Sequence, residues 1–191
     1  MNYKKKSIGL IVLLALGTSP FLQTSAQEKQ QKTEMKEQSE LNNILLKKWQ
    51  GPYRGVPAFD QMELDKLQPA MEKAMELHLL EIDQIANNKE TPTFENTIVA
   101  MEKAGKPLDR VFTYYGIWSS NVSSPEFREL QTILAPKISE YSSKISQNKA
   151  LFERIKTIYN SSQQNPLEAD QQRVVQLIYE NFAMEGAGLD P

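Results

Sequence analysis

From Pro69 onward the large apolar residues fall at Met71, Met75, Leu79, Ile82 and Ile85, one face of a 3.6-residue period held for more than four turns. This spacing predicts a helix that Asn87-Asn88 closes, with Pro69 in its first turn, where a missing N–H costs nothing. A second apolar stripe begins after Thr91-Pro92-Thr93, with Thr93 as the expected N-cap and Glu95 or Asn96 in the first turn. It passes through Ile98, Met101, Leu108, Val111, Phe112, Tyr115 and Trp118. Gly105 and Pro107 interrupt it, so it is either one kinked helix or two helices meeting near Lys106. Ser124-Pro125-Glu126 opens the next helix, whose face is Leu130, Leu134, Ile138, Tyr141 and Ile145, with a kink expected at Pro136 and an end at Asn148. A shorter helix carries Leu151, Phe152, Ile155, Ile158 and Tyr159, and a last one carries Val174, Val175, Ile178 and Phe182 beyond the polar loop Ser161 to Pro166. No run alternates with the period of a strand. The expectation is an all-α body of about five helices in antiparallel hairpins with short connections.

The ends of the chain read differently. Lys4, Lys5 and Lys6, the apolar run Ile8 to Leu16 and the small residues Thr24-Ser25-Ala26 have the order of a secretory signal, so residues 1–26 are expected to be removed on export. The apolar run is far short of the ~20 residues of a membrane span, and stable membrane insertion after cleavage is not expected. Residues 27–43 are dense in Gln, Glu and Lys and bury too little to offset their ordering entropy, which predicts a flexible polar leader. Residues 44–191 form the helical domain. Its first stretch, from Ile44 to Phe59, has Leu45, Leu46, Trp49, Tyr53, Val56 and Phe59 without helix or strand periodicity, broken by Pro52, Gly55 and Pro57. Such a segment is expected to lie as an extended strap across the domain's own helices, held by its aromatics. The closing Gly186-Ala187-Gly188-Leu189-Asp190-Pro191 has the character of a linker after a helix, and the chain is expected to be part of a longer polypeptide.

Composition narrows the chemistry. The 191 residues hold 22 Lys+Arg, 24 Asp+Glu, one His and no Cys. Loss of residues 1–26 removes three of the 22 cations and none of the acids, leaving 19 against 24, a net −5. No excess of positive charge is available for the phosphates of nucleic acid. The absence of cysteine excludes disulfides, thiol nucleophiles and Cys-ligated metals, and a single imidazole excludes any site built from two or three. No HExxH motif, glycine-rich phosphate loop, GxSxG elbow or EF-hand loop is present. No catalytic and no metal-binding residue is therefore assigned.

Three groups of residues remain candidates for lesser roles. His78, in His78-Leu79-Leu80-Glu81, has a carboxylate one turn away that could orient its ring, and is expected at an exposed or rim position. Glu72, Glu76, Glu81 and Asp83, among Lys66 and Lys73, read as a solvated face rather than an acid–base pair. The run Val111 to Trp118 covers more of a helix with aromatic and apolar side chains than one buried face needs. Tyr114, Tyr115 and Trp118 are thus candidates for a surface facing a cleft or a second domain, although core packing is expected for most of the run. Two glycosylation-type triplets, at Asn121 and Asn160, are too short to carry weight.

The ordered succession Trp49-Gln50-Gly51-Pro52-Tyr53, Val56-Pro57-Ala58-Phe59-Asp60, Glu81-Ile82-Asp83-Gln84-Ile85-Ala86-Asn87-Asn88 and Pro92-Thr93-Phe94-Glu95-Asn96-Thr97, followed by Leu108-Asp109-Arg110-Val111-Phe112 and Asn148-Lys149-Ala150-Leu151-Phe152, resembles the N-terminal region of the thimet-oligopeptidase-like zinc metallopeptidases. This family includes neurolysin, oligopeptidase A and bacterial peptidyl-dipeptidase. The resemblance spans about Leu45 to Pro191, and Pro92 to Thr97 is its sharpest element. It implies that these helices form one wall of a deep channel that admits short peptides. A later catalytic domain would supply HExxH and a further glutamate for zinc, with a metal-bound water attacking the peptide carbonyl. This stretch would then be an inactive fragment of an exported zinc peptidase, of the peptidyl-dipeptidase branch, that binds no zinc itself. Its partners would be the missing catalytic domain of the same polypeptide and short peptides, in the periplasm or outside the cell. The alternative is a complete exported helical module that binds peptides or proteins without catalysis.

Overall fold

The computed structural model describes residues 41–52 and 55–188; the expected signal segment, most of the leader, Tyr53 and the last three residues lie outside them. Six helical elements follow three short 3₁₀ turns, Ile44–Leu46, Phe59–Gln61 and Leu64–Lys66. They are α1 (Leu67–Ala86), α2 (a π-helical stretch Phe94–Val99 that passes into one α turn, Ala100–Lys103), α3 (Lys106–Asn121), α4 (Pro125–Ser146), α5 (Lys149–Ser162) and α6 (Ala169–Met184). The all-α expectation holds, and among the described residues there is no strand, only an isolated bridge between Gln50 and Val56.

Helix boundaries follow the capping residues. Thr93 accepts from the Asn96 N–H while the Asn96 side chain accepts from the Thr93 N–H, a reciprocal box. Ser124 caps α4 through the Phe127 N–H, and Asn148 caps α5 through the Leu151 N–H. The interrupted second stripe resolves into two helices. Ala104 is extended, and Gly105 turns the chain in the left-handed region at φ 73°, which a side chain would strain. Helix α4 runs continuously from Pro125 to Ser146 through Pro136, which lacks the N–H that would otherwise reach the Thr132 carbonyl.

The apolar faces meet in two separate cores. In the first, Leu45 and Leu46 pack with Met71 and Met75 of α1, Val111 and Tyr114 of α3, and Phe127 and Leu134 of α4. In the second, Ile82 and Ala86 of α1 pack with Ile98 of α2, Leu151, Phe152 and Ile155 of α5, and Val175 and Phe182 of α6. Helix α1 joins them: its 20 residues extend about 30 Å at 1.5 Å per residue, long enough to serve both ends. Aromatic stacking strengthens the second core, with Tyr159 and Tyr179 rings 4.2 Å apart and Phe152 stacked on Tyr179 at 5.6 Å.

The strap lies on the first core as expected, with Leu46 buried and Trp49 packed against it. Leu45 is fully buried, whereas Phe59 is 56% exposed. Polar contacts complete the attachment: Arg110 donates to the Leu46 carbonyl through Nε (3.1 Å) and Nη2 (2.6 Å), and the Ala58 N–H donates to the Tyr114 hydroxyl (2.7 Å). Burial holds the Arg110 guanidinium below its ordinary pKa, with Asp109 acting in the opposite direction. Gly55, at φ 91°, closes the loop so tightly that a Cβ there would lie 2.6 Å from the Trp49 backbone. Asn43 already belongs to the folded body, since its side chain caps Ile44–Leu46 and donates to the Lys66 carbonyl at 2.8 Å.

Candidate functional site

The aromatic run on α3 is divided by the helix period. Tyr114 is fully buried and Trp118 is 5% exposed, so both belong to the first core rather than to an aromatic surface. The Tyr114 hydroxyl is occupied by the Ala58 N–H, and its ring meets Trp49 edge to face at 6.3 Å. Tyr115 is half-buried, with its hydroxyl accepting from Gln131 Nε2 (3.2 Å) and its ring edge-on to Phe127. Phe112, one turn back, is 36% exposed and stands T-shaped to Tyr115 at 6.3 Å. An aromatic surface on α3 is therefore the pair Phe112 and Tyr115. The sequence stripe contained Phe112 but did not mark it as the outward member.

The segment Pro92 to Thr97 is organised around a residue that the sequence pattern did not single out. Arg154, on α5, is 6% exposed and donates to four neutral acceptors. Nη1 reaches the Asn88 (2.7 Å) and Glu90 (3.1 Å) carbonyls, Nη2 the Asn96 Oδ1 (2.8 Å), and Nε the Thr97 hydroxyl (3.2 Å). Asn96 Oδ1 also accepts from the Thr93 N–H and the Thr97 hydroxyl, while Asn96 Nδ2 donates to the Thr91 carbonyl. Asn96 and Thr97 of this segment thus help to satisfy a buried cation. The apolar residues do something else. Phe94, Ile98, Val99 and Met101 of α2 face Val174 and Ile178 of α6 across an apolar groove of about 420 Å³, with Glu102 as its single charged lining residue.

The carboxylates of α1 are engaged one by one. Glu76 pairs with the buried Lys73 (3.0 Å), Glu72 with Lys137 of α4, and Asp83 with the Asn87 amide (2.8 Å). Glu81 accepts the Gly105 N–H at 2.6 Å, leaving the His78 ring to a different partner, the Tyr141 hydroxyl of α4. His78 is half-buried, the rim position expected for it. Burial lowers its pKa from the ordinary 6.5, against the influence of Glu81 and Asp109.

Among the described residues no group of three or more His, Asp or Glu side chains could hold a metal ion, and no helix is long and apolar enough to cross a membrane. The donor set does not fit a catalytic zinc, because one imidazole already bonded to a tyrosine cannot supply the three protein ligands such a site takes. What the arrangement provides is a helical scaffold with an aromatic pair and an apolar groove.

Relatives of known activity share this stretch. The chain is 29% identical to dipeptidyl carboxypeptidase of Escherichia coli over 70% of its length, and 28% identical to dipeptidyl carboxypeptidase of Salmonella typhimurium over 77%. It is 26% identical to oligopeptidase A of Haemophilus influenzae over 71%. The chain covers only 20–22% of these relatives' own length. The family pattern described as the neurolysin/thimet oligopeptidase N-terminal domain matches residues 64–191, from the turn before α1 to beyond α6. With all six helices and the Arg154 cluster falling inside that match, the chain belongs to the family of neurolysin/thimet oligopeptidase N-terminal domains.

Proposed function

We propose that this chain is the N-terminal wall of the substrate channel in an exported zinc metallopeptidase that releases dipeptides from the C-termini of short peptides. The observation that carries this proposal is the family match over residues 64–191, together with relatives that are dipeptidyl carboxypeptidases and oligopeptidases. The metal ligands and the general base belong to the remainder of such a polypeptide, since the 191 residues contain no HExxH. What this chain contributes is shape. A helical layer stiffened by two cores can hold the half-exposed Phe112–Tyr115 pair in a fixed place, and aromatic faces suit contact with extended peptides. Export is supported by Lys4 to Lys6, the apolar run from Ile8 and the small residues ending at Ala26.

Sequencing the gene past the codon for Pro191 tests the proposal at its root. An open frame that reaches HExxH and a downstream glutamate is expected. A stop codon directly after Pro191 would overturn the peptidase assignment and leave an exported binding module in its place. Protein recovered from outside the cytoplasm is expected to begin at Gln27, which N-terminal sequencing reads directly; an intact Met1 there would contradict cleavage.

A further inference from the structure

His78 stands on α1 between Met75, which belongs to the first core, and Ile82, which belongs to the second. Two other elements close on its ring. From α4 the Tyr141 hydroxyl bonds Nδ1, with the two rings 5.9 Å apart and tilted by 44°. From the turn between α2 and α3, Gly105 approaches so closely that a Cβ on it would sit 3.1 Å from the imidazole. The Gly105 N–H is itself fixed by Glu81 of α1. The remaining nitrogen, Nε2, is sealed from solvent and has no hydrogen-bond partner.

That arrangement suits a neutral ring and not a charged one. A neutral imidazole can direct its one N–H from Nδ1 to the Tyr141 oxygen and leave Nε2 as a bare lone pair. An imidazolium carries N–H groups on both nitrogens, and the one on Nε2 would be buried without an acceptor. The charges facing the ring do not reverse this balance. Glu81 of α1 and Asp109 of α3 favour the cation, but Glu81 is held by Gly105 and Asp109 is paired with Lys106 at 3.3 Å. On α4, Lys137 and Lys144 are paired with Glu72 and Glu140, and the Tyr141 hydroxyl stays protonated, its pKa pushed up to about 12 by burial and by Asp109.

We propose that His78 is an acid-operated latch at the waist between the two cores: neutral, it holds the C-terminal half of α4 and the Gly105 turn against α1, and its protonation releases them. The sign follows from linkage. Burial places the folded-state pKa of His78 below 6.5, so the unfolded chain takes up the proton first. The stabilisation is complete above that unfolded value, declines as the pH falls below it, and is lost once the pH has passed below the lowered folded value.

Because His78 is the chain's one histidine, its imidazole resonance is assigned without ambiguity. The test is an NMR titration of the 191-residue chain from pH 8 to pH 5, with amide exchange followed along α4 and corrected for the intrinsic pH dependence. The expected result is a midpoint below that of the same histidine in urea. Protection in the stretch from Ile138 to Ser146 should fall several-fold over the same interval, while protection in α5 is unchanged. His78→Asn, which keeps a neutral hydrogen-bonding group, should abolish the fall. Should that variant not fold, Tyr141→Phe serves instead: it should lower α4 protection already at pH 7 and shrink the further fall in acid. A midpoint at or above the urea value, or a fall that persists undiminished in either variant, would overturn the proposal.

Discussion

Arg154 concentrates more consequence in one side chain than any other described residue. Its guanidinium is buried against neutral oxygens, and hydrogen bonds to a charged group contribute ~1.5–3 kcal/mol each rather than the usual ~1. Arg154→Leu would leave the Asn88 and Glu90 carbonyls without their donor and remove one of three donors to Asn96 Oδ1 and the donor to the Thr97 hydroxyl. A loss of at least ~3 kcal/mol is expected, read as a lower urea midpoint, and a change below ~1 kcal/mol would contradict the role given to the cluster. Tyr114→Phe should cost ~1 kcal/mol and speed exchange of the Ala58 amide, whose acceptor it removes. Local signals at this scale were legible: Thr93 and Ser124 announced themselves as caps because their partners lie three residues on. Arg154 did not, because its acceptors lie 57 to 66 residues away.

The helices were legible from their apolar stripes. Each expected helix is present, and the break near Lys106 fell where Gly105 and Pro107 placed it. The assignment of faces on α3 was harder, since its stripe alone does not say which of two adjacent tyrosines points inward. Packing decides that: Tyr114 meets the strap and Tyr115 meets α4. The turn between α2 and α3 depends on Gly105 twice, through its positive φ and through the space the His78 ring takes. Gly105→Ala should therefore lower stability by ~1–2 kcal/mol in chemical denaturation, and a neutral or stabilising effect would contradict the tight approach. Thr93→Ala should cost ~1 kcal/mol by removing the cap of α2, with the loss seen as faster exchange of the Asn96 amide.

At the scale of the whole molecule, two cores joined by one 20-residue helix make a helical scaffold. Fold class was open to sequence reasoning because hydrophobic periodicity reports it directly. Activity was not, because the one histidine and the carboxylates of α1 are held in structural bonds, and the functional proposal rests on kinship with peptidases of whose length the chain matches about a fifth. The most direct measurement is made on the polypeptide encoded by the complete reading frame, purified with zinc and incubated with a short unstructured peptide. Mass spectrometry then follows the products. Stepwise release of C-terminal dipeptides, stopped by a chelator and restored by zinc, is the expected result. An intact peptide after incubation with the folded, zinc-loaded protein would contradict the assignment.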